Sequence, residues 1–220
     1  MRVLEIFNSI DGEGNRAGEL ATFVRLAGCN LKCPYCDTKY SWPGDAGGEM
    51  SVEQIVERVR AYGCNNVTVT GGEPLIHRGI KPLLRALVQV GLNVNVETNG
   101  SVPIKPVRDF LGCRLCYFTV DYKCPSSGQE GAMHPSNFGM NLEAHDVVKF
   151  VVGDENDLDT ARNITMSQLR DFRGGIYISP VFGSIEPAQI VEYMKRYRMQ
   201  RWRLQLQMHK YIWDPEQRGV

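Results

Sequence analysis

The sequence CNLKCPYC, residues 29–36, places three thiols in one short stretch with the spacing C-x3-C-x2-C. It follows closely on Thr22–Leu26, an apolar and β-branched run that predicts a strand. The proline, asparagine and lysine between the cysteines do not suit a hydrophobic core and favour a loop. A loop can turn three sulfur atoms toward one place, and thiolates are ligands of zinc and of iron–sulfur clusters. Three ligands on a four-iron cluster leave one iron open to another molecule.

Zinc is the other metal that these cysteines can hold. Two C-x2-C pairs, Cys33/Cys36 and Cys113/Cys116, have the spacing of a zinc ribbon, but a zinc site built on them leaves Cys29 unused. The cysteines outside the loop are expected to be packed or half-buried thiols; they are Cys64, Cys113, Cys116 and Cys124.

Length and composition limit the class of protein. The chain has 220 residues, 25 basic and 25 acidic side chains, 43% hydrophobic and 23% charged residues, which suits one globular domain spanning residues 1–220. Zero net charge argues against a broad nucleic-acid-binding surface, and no apolar run reaches the ~18 residues of a membrane span. The N-terminus lacks a secretory signal, and seven cysteines cannot all pair. We therefore expect a cytoplasmic protein that binds neither nucleic acid nor membrane.

Short β-branched runs alternate with amphipathic helical patterns along the chain. The predicted strands are Thr22–Leu26, Asn66–Thr70, Asn93–Glu97, Tyr117–Asp121, Val147–Val152, Gly175–Pro180 and Arg203–Gln207. The predicted helices are one with the capping box Ser51/Gln54, and then Ile80–Val90, Ser167–Phe172 and Glu186–Arg198. The alternation indicates an α/β fold with a parallel sheet. Because a full eight-fold barrel needs about 250 residues, we expect a partial, open (β/α) barrel of about six parallel strands.

Polar and glycine-containing segments follow the predicted strands, at the ends where parallel α/β folds bind ligands: GGEP at residues 71–74, ETNG at 97–100 and DYK at 121–123. Together with the cysteine spacing and Tyr35 before the third cysteine, the GGEP and ETNG segments resemble the motifs of radical S-adenosylmethionine (SAM) enzymes. The resemblance implies a [4Fe–4S] cluster held by Cys29, Cys33 and Cys36, with SAM on the open iron. An electron from the cluster then cleaves SAM, and the radical formed abstracts a hydrogen atom from the substrate.

Both ends of the chain resemble one family of these enzymes, the 7-carboxy-7-deazaguanine synthases. The matching segments are FNSIDGEG at 7–14, FVRL at 23–26, CDT at 36–38 and MHKYIW at 208–213. The resemblance implies a lyase that contracts the ring of 6-carboxy-5,6,7,8-tetrahydropterin to give 7-carboxy-7-deazaguanine, a 7-deazapurine and queuosine precursor, with loss of ammonia. SAM is regenerated, and Mg²⁺ is a further cofactor. Two alternatives stay open: a glycyl-radical activating enzyme with the same cysteine loop, and a non-catalytic zinc or iron–sulfur module.

The same resemblance assigns the site residues. Mg²⁺ is assigned to the hydroxyl of Thr38, a hard oxygen ligand. Glu73 is assigned to the methionine ammonium, and the SAM site as a whole comprises Tyr35, Cys36, Asp37, Gly72, Glu73, Glu97, Asp121, Tyr122, Lys123, Ser179, Pro180, Val181 and Phe182. Arg25 suits the pterin carboxylate, and the substrate site comprises Ile10, Asp11, Gly12, Glu13, Arg25, Thr70 and Val220. No residue is assigned as a catalytic acid or base.

The resemblance also implies partners. They are the small pterin substrate, an electron donor of flavodoxin or ferredoxin type, and a second copy of the chain in a homodimer. Relatives often carry glutamine where this chain has Asp11. This difference leaves substrate contacts from the backbone of residues 10–12 in place and alters any contact from the side chain.

Overall fold

Seven neighbouring parallel strands make up most of one sheet in the computed structural model, which describes residues 1–215 and 217–220. In chain order the strands are β1 (Arg2–Ile10), β2 (Leu20–Leu26), β3 (Gly48–Glu49), β4 (Asn66–Gly71), β5 (Asn93–Thr98), β6 (Cys116–Lys123), β7 (Val147–Val152), β8 (Gly175–Pro180) and β9 (Trp202–Leu204). Their order across the sheet is β3-β1-β2-β4-β5-β6-β7-β8-β9. β2 and β4 to β9 run parallel, and β1 and β3 pair antiparallel at one edge. The predicted open parallel α/β sheet is confirmed.

Helices follow most of the parallel strands. They are α1 (Val52–Ala61), α2 (Ile80–Gln89), α3 (Lys105–Leu111), α4 (Glu155–Ser167), α5 (Pro187–Arg196) and the short α6 (His209–Ile212). The capping box predicted at the start of α1 is confirmed: the Ser51 hydroxyl accepts from the Gln54 N–H, and the Gln54 side chain accepts from the Ser51 N–H. These two bonds satisfy backbone donors that the first helical turn leaves free.

Several elements differ from the sequence-based expectation, and β3, α3 and α6 were not predicted. The helix predicted over Ser167–Phe172 is wrong, because α4 ends at Ser167 and turns follow it. α4 itself was not predicted, because it starts in a polar segment and few of its residues are buried. At its start the Asp154 carboxylate accepts from the Asp157 N–H. The last predicted strand, Arg203–Gln207, is shorter, since β9 ends at Leu204. β1 was not predicted, because polar residues interrupt its apolar pattern.

Alternate residues of the parallel strands point to opposite faces of the sheet. One set is apolar and buried in the main hydrophobic core with residues of the helices; it includes Val67, Val69, Val94, Val96, Phe118, Val120, Val148 and Phe150. The other set carries polar and charged groups, namely Thr70 from β4, Glu97 from β5, Asp121 from β6 and Lys149 from β7. Because β4 to β7 are neighbours in the sheet, the second set forms one continuous polar surface.

Among residues 1–215 and 217–220, no helix has the length and apolar character needed to cross a membrane.

Candidate active site

The polar face of the sheet forms the floor of a cavity of about 300 Å³. Arg25, Thr70, Glu97, Asp121 and Lys149 line it, each from a different strand. Arg25 lies beside Thr70 in the register of β2 and β4, and Asp121 lies beside Lys149 in that of β6 and β7. The walls come from the cysteine loop, from residues 10–13 at the end of β1 and directly after it, and from the C-terminal residues 217–220.

The three cysteines of the loop all line this cavity as free thiols. The Cys29 Sγ accepts from the Leu31 N–H at 3.5 Å, and the Cys36 Sγ lies 3.6 Å from the Thr38 hydroxyl. Burial raises the pKa of the Cys29 and Cys33 thiols. These cysteines therefore lose their protons most readily to a metal, which stabilises the thiolate.

The donor set suits an iron–sulfur cluster. Within the described part of the chain, no three His, Cys, Asp or Glu side chains converge on a single metal ion. The residues Cys29, Cys33 and Cys36 all line the same cavity. A four-iron cluster takes its thiolates around a larger body than one ion. Three cysteines facing the same cavity match three of its four iron atoms.

Gly72 brings the GGEP loop against the cysteine loop. A Cβ at Gly72 would lie 2.2 Å from the Gly28 carbonyl oxygen and 2.7 Å from the Cys29 Cβ, so no other residue fits there without movement of the backbone. The Glu73 N–H donates to the same Gly28 carbonyl at 2.9 Å. The absence of a side chain at Gly72 thus sets the position of Cys29 at the cavity wall.

Glu73 is fully buried behind the cavity wall. Its Oε1 accepts from the Leu75 N–H at 2.9 Å and the Thr98 hydroxyl at 2.8 Å, and its Oε2 accepts from the Asn99 N–H at 2.6 Å. Burial raises the pKa of Glu73 to about 7, against the three donors, which lower it. The carboxyl group therefore connects the GGEP and ETNG loops, and the structure does not bring it to the cavity.

The side chain of Asn99 connects the ETNG loop to Cys29. Its Oδ1 accepts from the N–H and the hydroxyl of Ser101, at 3.0 and 2.6 Å. This fixes the amide so that Nδ2 donates to the Asn30 Oδ1 at 3.0 Å and faces the Cys29 Sγ at 3.8 Å. Glu73, Asn99 and the cysteine loop thus form one chain of hydrogen bonds behind the thiols.

Two buried lysines form an ionic network with Asp121 and Glu97 of the cavity floor and with Glu13 of its wall. The Lys149 Nζ lies 2.5 Å from the Glu13 Oε2 and 3.3 Å from the Asp121 Oδ1, and the Lys123 Nζ lies 2.6 Å from the Asp121 Oδ2. Burial alone would lower the pKa of Lys149, but Asp121, Glu13 and Glu97 raise it well above its usual value. Burial raises the pKa of Glu97 to about 7, although Lys149 lowers it. The lysines therefore stay cationic at neutral pH.

Arg25 is held at the other side of the floor. Its Nε donates to the Glu5 Oε1 at 2.6 Å, and the Tyr40 hydroxyl donates to the same oxygen at 2.9 Å. The Glu5 oxygen thus orients the guanidinium through Nε, and among the described residues no hydrogen bond is found from its two NH₂ groups. A guanidinium held in this way is suited to bind a carboxylate.

The loop between β1 and β2 carries the segment assigned to the substrate. The Asp11 N–H donates to the Glu19 carbonyl at 2.7 Å, and its carbonyl accepts from the Gly18 N–H at 2.8 Å. The Asp11 carboxylate turns away from the cavity to the Thr68 hydroxyl at 3.0 Å and to Arg16 at 3.4 Å. Because both backbone groups of Asp11 are bonded within the protein, the backbone contacts expected from residues 10–12 are left mainly to Gly12.

Most residues assigned from the sequence come together at this cavity. Those that line it are Ile10, Asp11, Gly12, Glu13, Arg25, Cys29, Cys33, Tyr35, Cys36, Asp37, Thr38, Thr70, Gly72, Glu97, Asp121, Lys123, Val181, Phe182 and Val220. Those that do not are Glu73, Tyr122, Ser179 and Pro180. Tyr122 follows Asp121 in β6, so its ring points to the opposite face and packs against Phe138 and Phe150.

The cavity also contains residues that the sequence analysis did not assign. They are Phe7, Phe23, Tyr40, Asn99, Lys149, Gln207, His209, Lys210 and Arg218, among others. Lys149 had a signal in the sequence, since it is the single charge in the apolar run VVKFVV. His209 and Lys210 lie in a short helix whose position follows from tertiary packing rather than from its own sequence pattern.

Comparisons with known proteins agree with this geometry. Residues 24–149 match the Radical SAM superfamily. The chain is 44% identical, over 100% of its length and 99% of the relative, to the 7-carboxy-7-deazaguanine synthase of Clostridium acetobutylicum. It is 39% identical, over 100% of its length and 97% of the relative, to that of Chlorobaculum tepidum. The crystal structure of QueE from Escherichia coli covers 94% of the chain, and 93% of that structure is covered, with a TM-score of 0.74 at 24% identity.

The superfamily match contains the cysteine loop, the GGEP loop and the strands that form the cavity floor. Superfamily membership implies a [4Fe–4S] cluster, SAM, a small-molecule substrate and a reductant. The full-length identity to the synthases does not favour either alternative, the glycyl-radical activating enzyme or the non-catalytic module. The chain belongs to the radical SAM superfamily and, within it, to the family of 7-carboxy-7-deazaguanine synthases.

Proposed function

We propose that this cavity converts 6-carboxy-5,6,7,8-tetrahydropterin into 7-carboxy-7-deazaguanine, with loss of ammonia, as a radical SAM lyase of 7-deazapurine and queuosine precursor biosynthesis. The observation that carries the proposal is a single cavity lined by three free thiols, by Arg25 and Glu97 on its floor and by Glu13 on a wall. The identity to named synthases over the whole chain supports it. A small anionic substrate suits a cavity with a few fixed cations better than an extended charged surface.

The cysteine loop provides the cofactor site. Cys29, Cys33 and Cys36 would hold the cluster, and Gly71 and Gly72 of the GGEP loop line the cavity beside it, where SAM would bind. When bound, the cluster and SAM supply the one-electron chemistry that removes a hydrogen atom from carbon, which no side chain of the protein can do. The part of the protein is to bind both molecules in contact and to keep water away from them.

The cavity floor supports the substrate assignment. A pterin carboxylate would pair with Arg25, which Glu5 already orients from behind. The aminopyrimidine edge of the pterin presents N–H donors, and Glu13 presents an acceptor on the same cavity. Thr70 lies next to Arg25 in the sheet register and completes this side of the site. Val220 also lines the cavity, which supports its assignment to the substrate.

Mg²⁺ is a further part of the proposal, with Thr38 as its ligand. The Thr38 hydroxyl lies 3.4 Å from the Asp37 Oδ1 and faces the cavity beside the cysteine loop. One protein oxygen, with the remaining positions filled by substrate oxygens and water, is a common arrangement for Mg²⁺.

The assembly is proposed by family resemblance. We propose a homodimer in which each chain, residues 1–220, works as one domain in the cytoplasm, with a flavodoxin or ferredoxin as the electron donor. The one sheet that carries every part of the cavity floor supports the assignment of one domain. Sedimentation at working concentration tests the dimer, and reduction of the cluster by each purified donor tests the partner.

The experiment that tests the function is anaerobic reconstitution with iron and sulfide, followed by incubation with dithionite, SAM, Mg²⁺ and 6-carboxy-5,6,7,8-tetrahydropterin. We expect 7-carboxy-7-deazaguanine and ammonia. Cys36→Ala should abolish product and cluster, whereas Cys64→Ala, outside the cavity, should change neither. A chain that assembles the cluster and cleaves SAM without forming the deazaguanine would refute the proposal, and purified protein holding zinc and no iron would refute the radical mechanism.

A further inference from the structure

The loop between β1 and β2 presents Glu13 to the cavity in a fixed position. Next to it, the Gly14 N–H donates to the Gln205 Oε1 at 2.8 Å, and the Gly14 carbonyl accepts from the Gln205 Nε2 at 3.3 Å. Gln205 follows β9 at the far edge of the sheet, so this pair of bonds spans the opening that the incomplete barrel leaves. The backbone of the loop is therefore held before any ligand binds.

The side chain of Glu13 is held separately, by Lys149. The Lys149 Nζ lies 2.5 Å from the Glu13 Oε2, and both side chains are about nine-tenths buried. The other oxygen, Glu13 Oε1, is buried and has no hydrogen-bond partner within the described residues. A buried carboxylate oxygen without a hydrogen-bond partner destabilises the folded state, unless a ligand supplies the donor. Because Glu13 lines the cavity, the missing donor is expected from the bound molecule.

Lys149 also reaches the part of the cavity assigned to SAM. Its Nζ lies 3.3 Å from the Asp121 Oδ1, while the Asp121 Oδ2 pairs with Lys123 at 2.6 Å. Lys149 therefore bridges Glu13 and Asp121, whereas Lys123 pairs with Asp121 and has no ion pair with Glu13. The two lysines offer a matched comparison, because both are buried cations on the same face of the sheet.

We propose that Lys149 is a positioning residue for substrate recognition: its ammonium fixes the Glu13 carboxylate so that Oε1 accepts from the aminopyrimidine edge of the pterin. This inference rests on the proposed function. That edge carries two neighbouring donors, the ring N–H and the amino group. Each carboxylate oxygen has two lone pairs, so Oε2 can accept from the pterin while it stays bound to Lys149. Without the ammonium, the carboxylate is free to rotate and to repel Asp121.

The test is equilibrium binding of 6-carboxypterin, followed by its fluorescence, to the cluster-loaded protein with SAM present. Lys149→Met should raise the Kd at least tenfold, and Lys149→Arg should restore most of the affinity. Lys123→Met should weaken SAM binding, and at SAM concentrations that saturate this variant it should leave the 6-carboxypterin Kd within about twofold. In a Glu13→Gln background, Lys149→Met should cause no further loss, because both changes remove one interaction.

Other results would overturn the proposal. A Kd for 6-carboxypterin within twofold of wild type in Lys149→Met shows that Lys149 does not position the acceptor. Equal losses from the Lys149 and Lys123 variants, or additive losses in the Glu13→Gln background, show a general electrostatic or structural role. If Lys149→Met does not fold, Lys149→Gln is measured instead. It removes the positive charge but keeps a hydrogen-bond donor, and the same rise in the 6-carboxypterin Kd is expected. The binding assay needs no turnover. A failure of this inference is therefore distinguishable from a failure of the proposed function, which would show as absence of the deazaguanine product.

Discussion

Thr38 lines the cavity beside the cysteine loop, and its hydroxyl oxygen is the type of ligand that Mg²⁺ prefers. If it is the protein ligand of Mg²⁺, Thr38→Ala should raise the Mg²⁺ concentration for half-maximal activity at least tenfold. The cluster absorbance should not change, since Thr38 is not one of the thiols. Thr38→Ser retains the hydroxyl and should behave like wild type. An unaltered Mg²⁺ response in Thr38→Ala would refute the assignment.

A single methyl group at Gly72 should impair cluster assembly. The added Cβ would meet the Gly28 carbonyl oxygen at 2.2 Å, and this backbone cannot yield without displacing Cys29. We expect Gly72→Ala to lose more than half of its iron and sulfide after reconstitution. Gly44→Ala is the matched control, because a Cβ there meets nothing within 4 Å. Full iron content in Gly72→Ala would show that the two loops separate easily.

The loop between β1 and β2 takes the place of the strands that a closed barrel would have. Its attachment to the far edge depends on Gln205, which bonds both backbone groups of Gly14. Gln205→Ala leaves the buried Gly14 N–H without a partner and the Gly14 carbonyl with the Ala17 N–H alone, at 3.4 Å, which should lower the free energy of unfolding by about 1–3 kcal/mol. Gln200→Ala, at an exposed position, should have little effect. Urea unfolding measures the stability of both variants. Equal midpoints for Gln205→Ala and wild type would show that the contact between Gln205 and Gly14 does not stabilise the fold.

The elements best predicted from the sequence are the buried parallel strands. Val147–Val152 and Gly175–Pro180 were predicted with their exact bounds, because strands covered on both faces carry nearly continuous apolar runs. β1 and α4 were missed for the opposite reason. Each has one face partly exposed, and polar residues break its pattern.

The site also has parts that the sequence predicts and parts that it does not. Local motifs identified the cysteine loop and the GGEP loop, because their spacing is itself the signal. The pairing of Lys149 with Glu13 joins residues 136 positions apart and depends on the register of β7 with its neighbours. The inward turn of Glu73 depends on donors from residues 98 and 99. Neither contact has a local sequence pattern.

At the scale of the whole molecule, the zero net charge conceals charges that are paired inside. Three cations of the cavity, Arg25, Lys123 and Lys149, face carboxylates at ion-pair distance. Buried pairs of this kind contribute little net stability but define where each charge lies. The protein therefore meets a small anionic substrate with groups already oriented, and the cost of orienting them is met during folding.

The buried Glu73 should make stability depend on pH. Its pKa is about 7 in the folded chain, against 4.5 as its ordinary value. Between these pH values the folded state retains a proton that the unfolded state has lost, so the free energy of unfolding falls as pH rises from about 4.5 to 7 and then levels off. The shift corresponds to about 3 kcal/mol.

Glu73→Gln removes this titration and isolates it from that of Glu97. The free energy of unfolding of wild type minus that of the variant should fall by up to about 3 kcal/mol between pH 4.5 and 7, in urea unfolding of the reduced, cluster-free chain. Glu53→Gln is a control of opposite sign: hydrogen bonds from Ser51 and the backbone lower the pKa of Glu53. Its contribution to stability is present above pH 4.5 and is lost as pH falls. A difference for Glu73→Gln that stays level or rises across this range would show that its three donors outweigh burial, so that the carboxylate is ionised throughout.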